Sequence, residues 1–200
     1  MTKKKNTTFV TPRGTAKYPK LDQPYKWNAA TKRMVPATFL DGGYDTKMLI
    51  PEKAAKPLIE LIENDIKEFG RQPEYSCYSR EVDKDTNEPT GNVEFTFKMY
   101  GLDYDKQPQK PIFFDAKGRP VKKVVLTGGS EIIISGYIKV SDKSARLNIK
   151  SIQLIRLAES SSDVFEVIDE EDVYEANEEE EVNQIDSAKE ETTINDKIPF

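Results

Sequence analysis

The chain has 200 residues, 32% of them charged, and a formal net charge of −5. It contains no histidine and one cysteine, Cys77, which excludes histidine-based acid–base catalysis, most zinc sites and an internal disulfide. There is no run of about 20 apolar residues, so no membrane span is predicted. The lysines at positions 3–5 are not followed by an apolar stretch, so no secretory signal is predicted either.

The charge is divided unequally along the chain. Residues 159–200 contain sixteen Asp/Glu and two Lys, a net charge of −14, whereas residues 1–158 contain nineteen Asp/Glu and twenty-eight Lys/Arg, a net charge of +9. The acidic part ends in Ile198-Pro199-Phe200. This layout predicts a body that binds a polyanion and a disordered acidic tail presented to another molecule. Such a tail also aids solubility, which is the simpler interpretation of its composition.

The first fifty residues give few clear elements. Residues 11–19 are punctuated by Pro and Gly and predict an extended segment with one or two short strands. Residues 20–43 resist assignment. Trp27, the only Trp, lies there among basic residues and either covers a small core or offers a stacking platform. Asp41-Gly42-Gly43 predicts a turn, and residues 44–50 then predict a strand.

Residues 51–69 predict the one clear helix, because apolar residues recur at helical spacing and charged residues fill the other side. Pro51 suits the first helical position, whereas Pro57 predicts that the helix starts or kinks there. Gly70 favours the end of the helix. The following residues, 71–92, mix Pro, Tyr, Ser and charged residues and predict a long loop or an irregular hairpin.

From Val93 onward, apolar residues alternate with polar ones, which is the two-residue period of β-strands. Strands are predicted over 93–100, 112–114, 121–126, 131–140 and 145–157, with turns at 115–118, 127–130 and 141–144. The alternation changes phase within the last strand, and a β-bulge near Ser151 would produce that change.

Five or six strands and one helix predict a mainly β fold, a small antiparallel barrel or sandwich rather than a parallel α/β sheet. Several strands carry one apolar face and one basic, aromatic face. This combination suits a five-stranded Greek-key barrel whose outer surface binds a ligand.

Cations and aromatic rings share the predicted outer faces of three strands. Cations neutralise phosphates and release counterions, and exposed rings stack on bases of any sequence. The combination of cations and rings therefore favours binding of single-stranded nucleic acid, since a protein that recognises duplex DNA more often has a basic recognition helix. For any one residue, an ordinary solvated strand face is an equally good explanation. The predicted contacts are Arg13, Lys17, Tyr18, Trp27, Tyr78, Lys98, Tyr100, Tyr104, Lys122, Tyr137, Lys139, Arg146, Asn148 and Lys150.

Three segments carry a family resemblance. Thr11-Pro12-Arg13-Gly14-Thr15-Ala16-Lys17-Tyr18-Pro19 is an N-terminal strand motif, Met48-Leu49-Ile50-Pro51 is a strand that runs into a Pro-started helix, and the acidic tail ends in Phe. Together they resemble the single-stranded DNA-binding proteins of T7-like and related bacteriophages. Ile198-Pro199-Phe200 with Asp196 upstream also resembles the tip of bacterial single-stranded DNA-binding proteins, although Lys197 intervenes here.

The resemblance implies a single OB-fold domain that coats single-stranded DNA during phage replication, recombination and repair, in the cytoplasm of the host bacterium. It implies no enzymatic activity and no cofactor. With the charge pattern, it predicts a flexible basic arm at 1–8, a DNA-binding domain at 9–158 and a disordered acidic tail at 159–200. The oligomeric state stays open, a homodimer included.

The predicted tail has two roles. It competes with DNA for the basic cleft, because a tether keeps its negative charge at high local concentration. It also recruits phage or host replication and repair proteins, since a basic-rimmed apolar pocket on a partner would receive the terminal ring and carboxylate together. The predicted partner-binding residues are Asp196, Ile198, Pro199 and Phe200.

Two other functions fit parts of the pattern. A protein-binding adaptor or nucleic-acid mimic acting through the acidic tail would show no DNA affinity once the tail is removed. A carboxylate metal-dependent nuclease would use Asp83 and Asp85, or Asp103 and Asp105, as Mg²⁺ ligands. Both pairs lie in turn-like stretches where Asp is common for other reasons.

Overall fold

The computed structural model describes residues 6–122 and 124–158. The predictions for the acidic segment and its Ile-Pro-Phe tip lie outside these residues. The described elements, in chain order, are β1 (Thr8–Val10), β2 (Gly14–Asn28), β3 (Arg33–Pro36), β4 (Gly43–Pro51), α1 (Glu52–Phe69), β5 (Tyr78–Val82), β6 (Pro89–Tyr100), β7 (Ile112–Phe114), β8 (Pro120–Val121), β9 (Glu131–Val140) and β10 (Ala145–Arg156).

Five long strands close into a barrel. β2 pairs with β4, β4 with β6, β6 with β10, β10 with β9, and β9 again with β2. All of these pairings are antiparallel except β6–β10, which is parallel. A small closed barrel of five strands is the OB-fold arrangement, so the predicted mainly β, OB-fold-like architecture with one helix is confirmed. The remaining short strands extend the sheet beyond the barrel.

The barrel core follows from the alternation of apolar residues. Phe95 and Phe97 of β6, and Ile132 and Ile134 of β9, are fully buried at every second position. Residues between them face outward, as the pleat of a strand requires. The predicted bulge in β10 is confirmed, because the β9–β10 register shifts between Ile149 and Ser151.

The helix α1 packs against β4, β6 and β9. It ends as predicted at Gly70, whose φ of 84° is left-handed and whose N–H donates to the carbonyls of Ile66 and Lys67. The predicted start at Pro57 is wrong, since α1 runs from Glu52 to Phe69 with Pro57 inside it. The alternative, a kink at Pro57, stays a prediction. Buried side chains on both sides of Pro57 hold the helix against the barrel. In the described ranges, no helix has the length and apolar character to cross a membrane.

Two of the next three segments differ from the sequence-based prediction, whereas residues 71–92 confirm one of its two alternatives, the irregular hairpin. Residues 20–43, which gave no assignment, contain the end of β2 and all of β3, joined as a hairpin. Residues 71–92 form the irregular hairpin of β5 and β6, with a register shift between Arg80 and Val82. The strand predicted at 121–126 is wrong, because β8 covers Pro120–Val121 and, among the described strands, pairs only with the three-residue β7.

An ionic network covers one end of the outer sheet surface. The Lys17 ammonium lies 3.0 Å from a carboxylate oxygen of Glu81 and 3.0 Å from one of Glu94. Lys47 lies 2.6 Å from the other oxygen of Glu94. The two glutamate side chains are largely shielded from solvent, so this network joins β2, β4, β5 and β6 more firmly than exposed pairs would.

Acid is expected to weaken this network. Burial raises the pKa of Glu94, but hydrogen bonds from Lys47 and Lys17 outweigh burial and place its pKa below the ordinary value. A group with a lowered folded pKa stabilises the fold above its unfolded pKa, about 4.3 for Glu, and loses that contribution as pH falls through the folded pKa. The free energy of unfolding in urea should therefore decrease between pH 7 and pH 3.

The variant Glu94→Gln isolates this contribution. It should be less stable than the parent at pH 7 and should lose less stability on acidification. Glu60→Gln, on the exposed side of α1, is the matched control and should follow the parent at both pH values. An identical pH dependence of the parent and Glu94→Gln would contradict the assignment.

Candidate nucleic-acid interface

One row of side chains crosses the outer surface of the barrel. Lys20 on β2 is the register partner of Asp45 on β4, and Asp45 is the partner of Lys98 on β6. Lys98 is the partner of Asn148 on β10, and Asn148 of Tyr137 on β9. Directly opposed residues on one face lie about 5 Å apart at Cβ. The three strand faces that were predicted to carry cations and rings therefore adjoin, and we call this the central row.

Two cations lie on two tyrosine rings beside the central row. The Arg146 guanidinium lies 4.9 Å from the Tyr100 ring centroid and hydrogen bonds to the Tyr100 hydroxyl. The Lys139 ammonium lies 5.3 Å from the Tyr104 ring centroid and donates to the Tyr104 hydroxyl over 3.0 Å. Arg146 and Lys139 are themselves register partners. We call these four residues the tyrosine–cation cluster.

The cluster is open to solvent. Tyr100 is 60% exposed and Tyr104 is 78% exposed, although aromatic side chains of this size contribute a large apolar area when they are buried in a core. Hydrogen bonding to Tyr104 raises the pKa of Lys139, so the lysine remains a cation at neutral pH. Within the described ranges, neither Lys139 nor Arg146 forms an ion pair with a carboxylate. Cations and rings are thus both available to a ligand.

A groove of about 370 Å³ lies where the central row and the cluster meet. The β2–β3 hairpin forms one wall and carries Trp27, which is 60% exposed. The floor and opposite wall come from β4, β6 and β10. Five of the predicted contacts line this groove: Trp27, Lys98, Tyr100, Arg146 and Asn148.

The structure therefore brings eight of the fourteen predicted contacts together, namely those five with Tyr104, Tyr137 and Lys139. The other six lie elsewhere. Lys17 belongs to the ionic network, and the Arg13 guanidinium lies 3.6 Å from a carboxylate oxygen of Glu131. Tyr78 packs against Phe95 and donates its hydroxyl to Glu63 over 2.7 Å. Exposed positions outside the groove are occupied by Tyr18 on β2, Lys150 at the β10 bulge and Lys122 after β8. Their contacts with nucleic acid stay predictions.

Sequence reasoning missed several residues of the interface. Lys20, Tyr25 and Asp45 belong to it, and the Lys20 ammonium lies 5.2 Å from the Tyr25 ring centroid. Lys20 and Tyr25 fall in residues 20–43, for which no strand was assigned, so no face was assigned to them. The aromatic residues interspersed with lysines in that segment were the available signal.

The aspartates considered as Mg²⁺ ligands cap turns. Asp83 Oδ1 accepts the backbone N–H groups of Asp85 and Thr86, each at 2.9 Å. Asp103 Oδ1 accepts those of Asp105 and Gln107 at 2.9 and 2.8 Å. In the part of the chain that the structure describes, no group of three or more His, Cys, Asp or Glu is placed to hold a metal.

The lone cysteine is also structural in character. Cys77 is buried, and burial raises the pKa of its thiol to about 12. It is therefore a neutral thiol at physiological pH, whereas a nucleophilic or metal-binding cysteine needs the thiolate.

No family model and no curated protein matches the chain. Solved structures, in contrast, do match the chain. Gp2.5, a single-stranded DNA-binding protein encoded by bacteriophage T7, superposes with a TM-score of 0.61 at 19% identity, over 86% of this chain and 100% of that one. The single-stranded DNA-binding protein from bacteriophage Enc34 matches in a C-terminally truncated form, with a TM-score of 0.54 at 14% identity, over 76% of this chain and 87% of that one.

The Enc34 protein in complex with single-stranded DNA matches as well, with a TM-score of 0.53 at 15% identity, over 77% of this chain and 89% of that one. At these identities the likeness concerns the fold. The fold expected from the resemblance is confirmed. The chain shares the fold of two phage single-stranded DNA-binding proteins.

Proposed function

We propose that the protein binds single-stranded DNA, with little dependence on sequence, along the central row and the tyrosine–cation cluster. The observation that carries the proposal is the cluster, where exposed rings occupy one surface together with cations that pair with no carboxylate of the described residues. The shared fold supports it, since the T7 and Enc34 proteins are both described as single-stranded DNA-binding proteins and the latter was solved with DNA.

The geometry suits single strands for a physical reason. Tyr100, Tyr104 and Trp27 offer ring faces, and a base can stack on them only if it has left its own duplex stack. Lys98, Lys139 and Arg146 lie among the rings and can neutralise the phosphates between successive bases. Each ring can stack on any of the four bases. The affinity would therefore depend more on whether the DNA is single-stranded than on its sequence.

The wider role is proposed on the same basis. The protein would coat single-stranded DNA in phage replication, recombination and repair, in the cytoplasm of the host bacterium, through a domain at 9–158. The acidic tail at 159–200 would compete with DNA for the basic surface and recruit replication or repair proteins. Its net charge of −14, tethered to a body of +9, supports the competition.

One titration tests the binding and the competition together. Fluorescence polarisation of a labelled dT oligonucleotide is measured with the full chain and with residues 1–158 over a salt series, with a duplex of equal length as control. We expect tight single-strand binding that weakens with salt, weaker duplex binding, and a severalfold gain on truncation at low salt. Truncation after Ala158 preserves its N–H bond to the Ser130 hydroxyl. Equal affinity for the duplex would overturn the proposed function, whereas unchanged affinity on truncation would overturn only the competition.

Phe200→Ala tests the recruitment separately. It should leave DNA affinity unchanged, because the net charge of the tail is unchanged. It should abolish capture of replication and repair proteins in a pull-down from infected cells, because the ring that would fill a partner pocket is gone. Undiminished capture would contradict the role of the tip.

The salt dependence offers a test of individual lysines. Each phosphate contact to a single strand contributes about 0.7 to the slope of log affinity against log salt. Lys98→Ala should reduce the slope by about that amount, because Lys98 is exposed in the central row and forms no ion pair within the described residues. Lys17→Ala makes the same charge change but removes a cation already held by two carboxylates, so its slope should change less. Equal changes would show that Lys17 also contacts phosphate.

A further inference from the structure

An unusual carboxylate lies in the middle of the cationic surface. Asp45 is half-buried in the central row between Lys20 and Lys98 and lines the groove with Trp27 and Tyr100. In the described part of the chain, it forms no ion pair with either lysine and accepts no hydrogen bond. A carboxylate on a phosphate-binding surface opposes that function by its charge, so its presence requires another explanation.

The protein compensates this charge incompletely. Burial raises the pKa of Asp45, and the two lysines counteract the effect of burial only in part. A desolvated carboxylate without hydrogen-bond donors destabilises the fold. It is also an acceptor that a ligand can satisfy, because its oxygens have vacant lone pairs and the residue lines the groove in which a ligand would lie.

The surroundings decide which part of a DNA strand would approach it. The Asp45 carboxylate itself repels phosphates, which the cations around it attract instead: Lys98 and Arg146 at the groove and Lys139 beside Arg146. The rings of Trp27 and Tyr100 at the groove favour a base over the sugar–phosphate backbone. The edge of a base, rather than a phosphate, is therefore the group that would meet the carboxylate.

We propose that Asp45 reads guanine: its two carboxylate oxygens accept hydrogen bonds from the N1–H and the 2-amino group of a base held in the groove. This inference rests on the proposed function. Guanine presents two adjacent donors, which suits a bidentate, charge-assisted pair. Thymine presents a single N–H between two carbonyl oxygens that the carboxylate repels. The otherwise sequence-tolerant surface would thus carry one position that prefers guanine.

The experiment compares four oligonucleotides of equal length in fluorescence polarisation: all dT, and dT with one central dG, deoxyinosine or dC. Deoxyinosine differs from dG only by the missing 2-amino group. The full-length parent should bind the dG oligonucleotide about tenfold more tightly than all dT, with deoxyinosine in between. Asp45→Asn should remove this preference, and it should bind the all-dT and dC oligonucleotides more tightly than the parent does, because it loses a negative charge. The dG oligonucleotide should not share this gain in full, because it loses the bidentate acceptor.

Asp41→Asn is the matched control. Asp41 also lines the groove and the substitution changes the charge equally, but Asp41 lies 3.7 Å from the Lys26 ammonium. It should retain the dG preference. Asp45→Asn should also unfold at a higher temperature than the parent, since a poorly compensated carboxylate is removed, so a folding defect would not obscure the result.

Two outcomes separate the inference from the proposed function. If the parent binds all four oligonucleotides equally and Asp45→Asn strengthens all of them equally, Asp45 only repels phosphate. Guanine reading is then wrong and single-strand binding stands. If neither protein binds any of the four, the proposed function itself is wrong.

Discussion

Replacing Tyr100 and Arg146 together by alanine is expected to weaken binding of a dT oligonucleotide about a hundredfold near physiological salt. Loss of one stacking ring removes about 1–3 kcal/mol. Loss of the guanidinium removes a phosphate contact and the cation that holds the ring in place, at 4.9 Å from its centroid. A total of about 3 kcal/mol corresponds to the stated factor.

The matched control replaces Tyr75 and Arg71 by alanine. Tyr75 is 62% exposed, close to the 60% of Tyr100, and Arg71 is an exposed arginine paired with Asp142. Neither lines the groove, and the charge change is the same. The control should therefore bind like the parent. Equal loss of affinity in the two double variants would show that binding depends on net charge and hydrophobic surface, and not on the tyrosine–cation cluster.

Gly136→Ala is expected to have the largest effect on stability. Gly136 lies in β9, with β1 on one side and β10 on the other. A Cβ there would lie 1.8 Å from the carbonyl oxygen of Asn148 and 3.0 Å from the ring of Phe9. Because the first of these contacts is with backbone, the β9–β10 pairing itself must shift. We expect a loss of about 3 kcal/mol in unfolding free energy and about 10 °C in Tm.

Gly128→Ala provides the comparison for this variant. A Cβ at Gly128 meets nothing within 4 Å, and the residue is not among the glycines with positive φ. Its urea midpoint should match that of the parent. An unchanged midpoint for Gly136→Ala would mean that β10 lies further from β9 than the structure places it. Since Tyr137 and Asn148 flank the same contact, Gly136→Ala should also weaken DNA binding.

Much of the fold was predictable because the decisive signals are local. The alternation over residues 131–140 separates buried Ile132 and Ile134 from outward-facing Tyr137 and Lys139. The change of phase near Ser151 reveals the bulge, since a bulge moves every later side chain to the other face. Gly70 marks the helix end, because only glycine adopts its left-handed backbone at no cost.

The rest depends on contacts between residues far apart in the chain. Local alternation assigns Lys98 and Asn148 to a face, but only the parallel β6–β10 register places them side by side. Lys17 and Tyr78 are residue types that often contact DNA. Their sequence neighbours could not show that Glu94 and Glu63 would hydrogen bond to them, because those glutamates are not adjacent in the chain. Proline breaks the pattern of β2, so Lys20 gave no recognisable alternation.

The parallel pairing of β10 also bears on when the proposed binding surface forms. β10 is the last strand of the barrel, and it joins β9 to β6. Chains emerge from the ribosome with their N-terminal end first, and pairings between distant segments form late. The barrel would therefore close only after β10 has left the ribosome. Lys98, Asn148 and Tyr137 become neighbours in that same step, so an unfinished chain would have no assembled surface with which to occupy DNA.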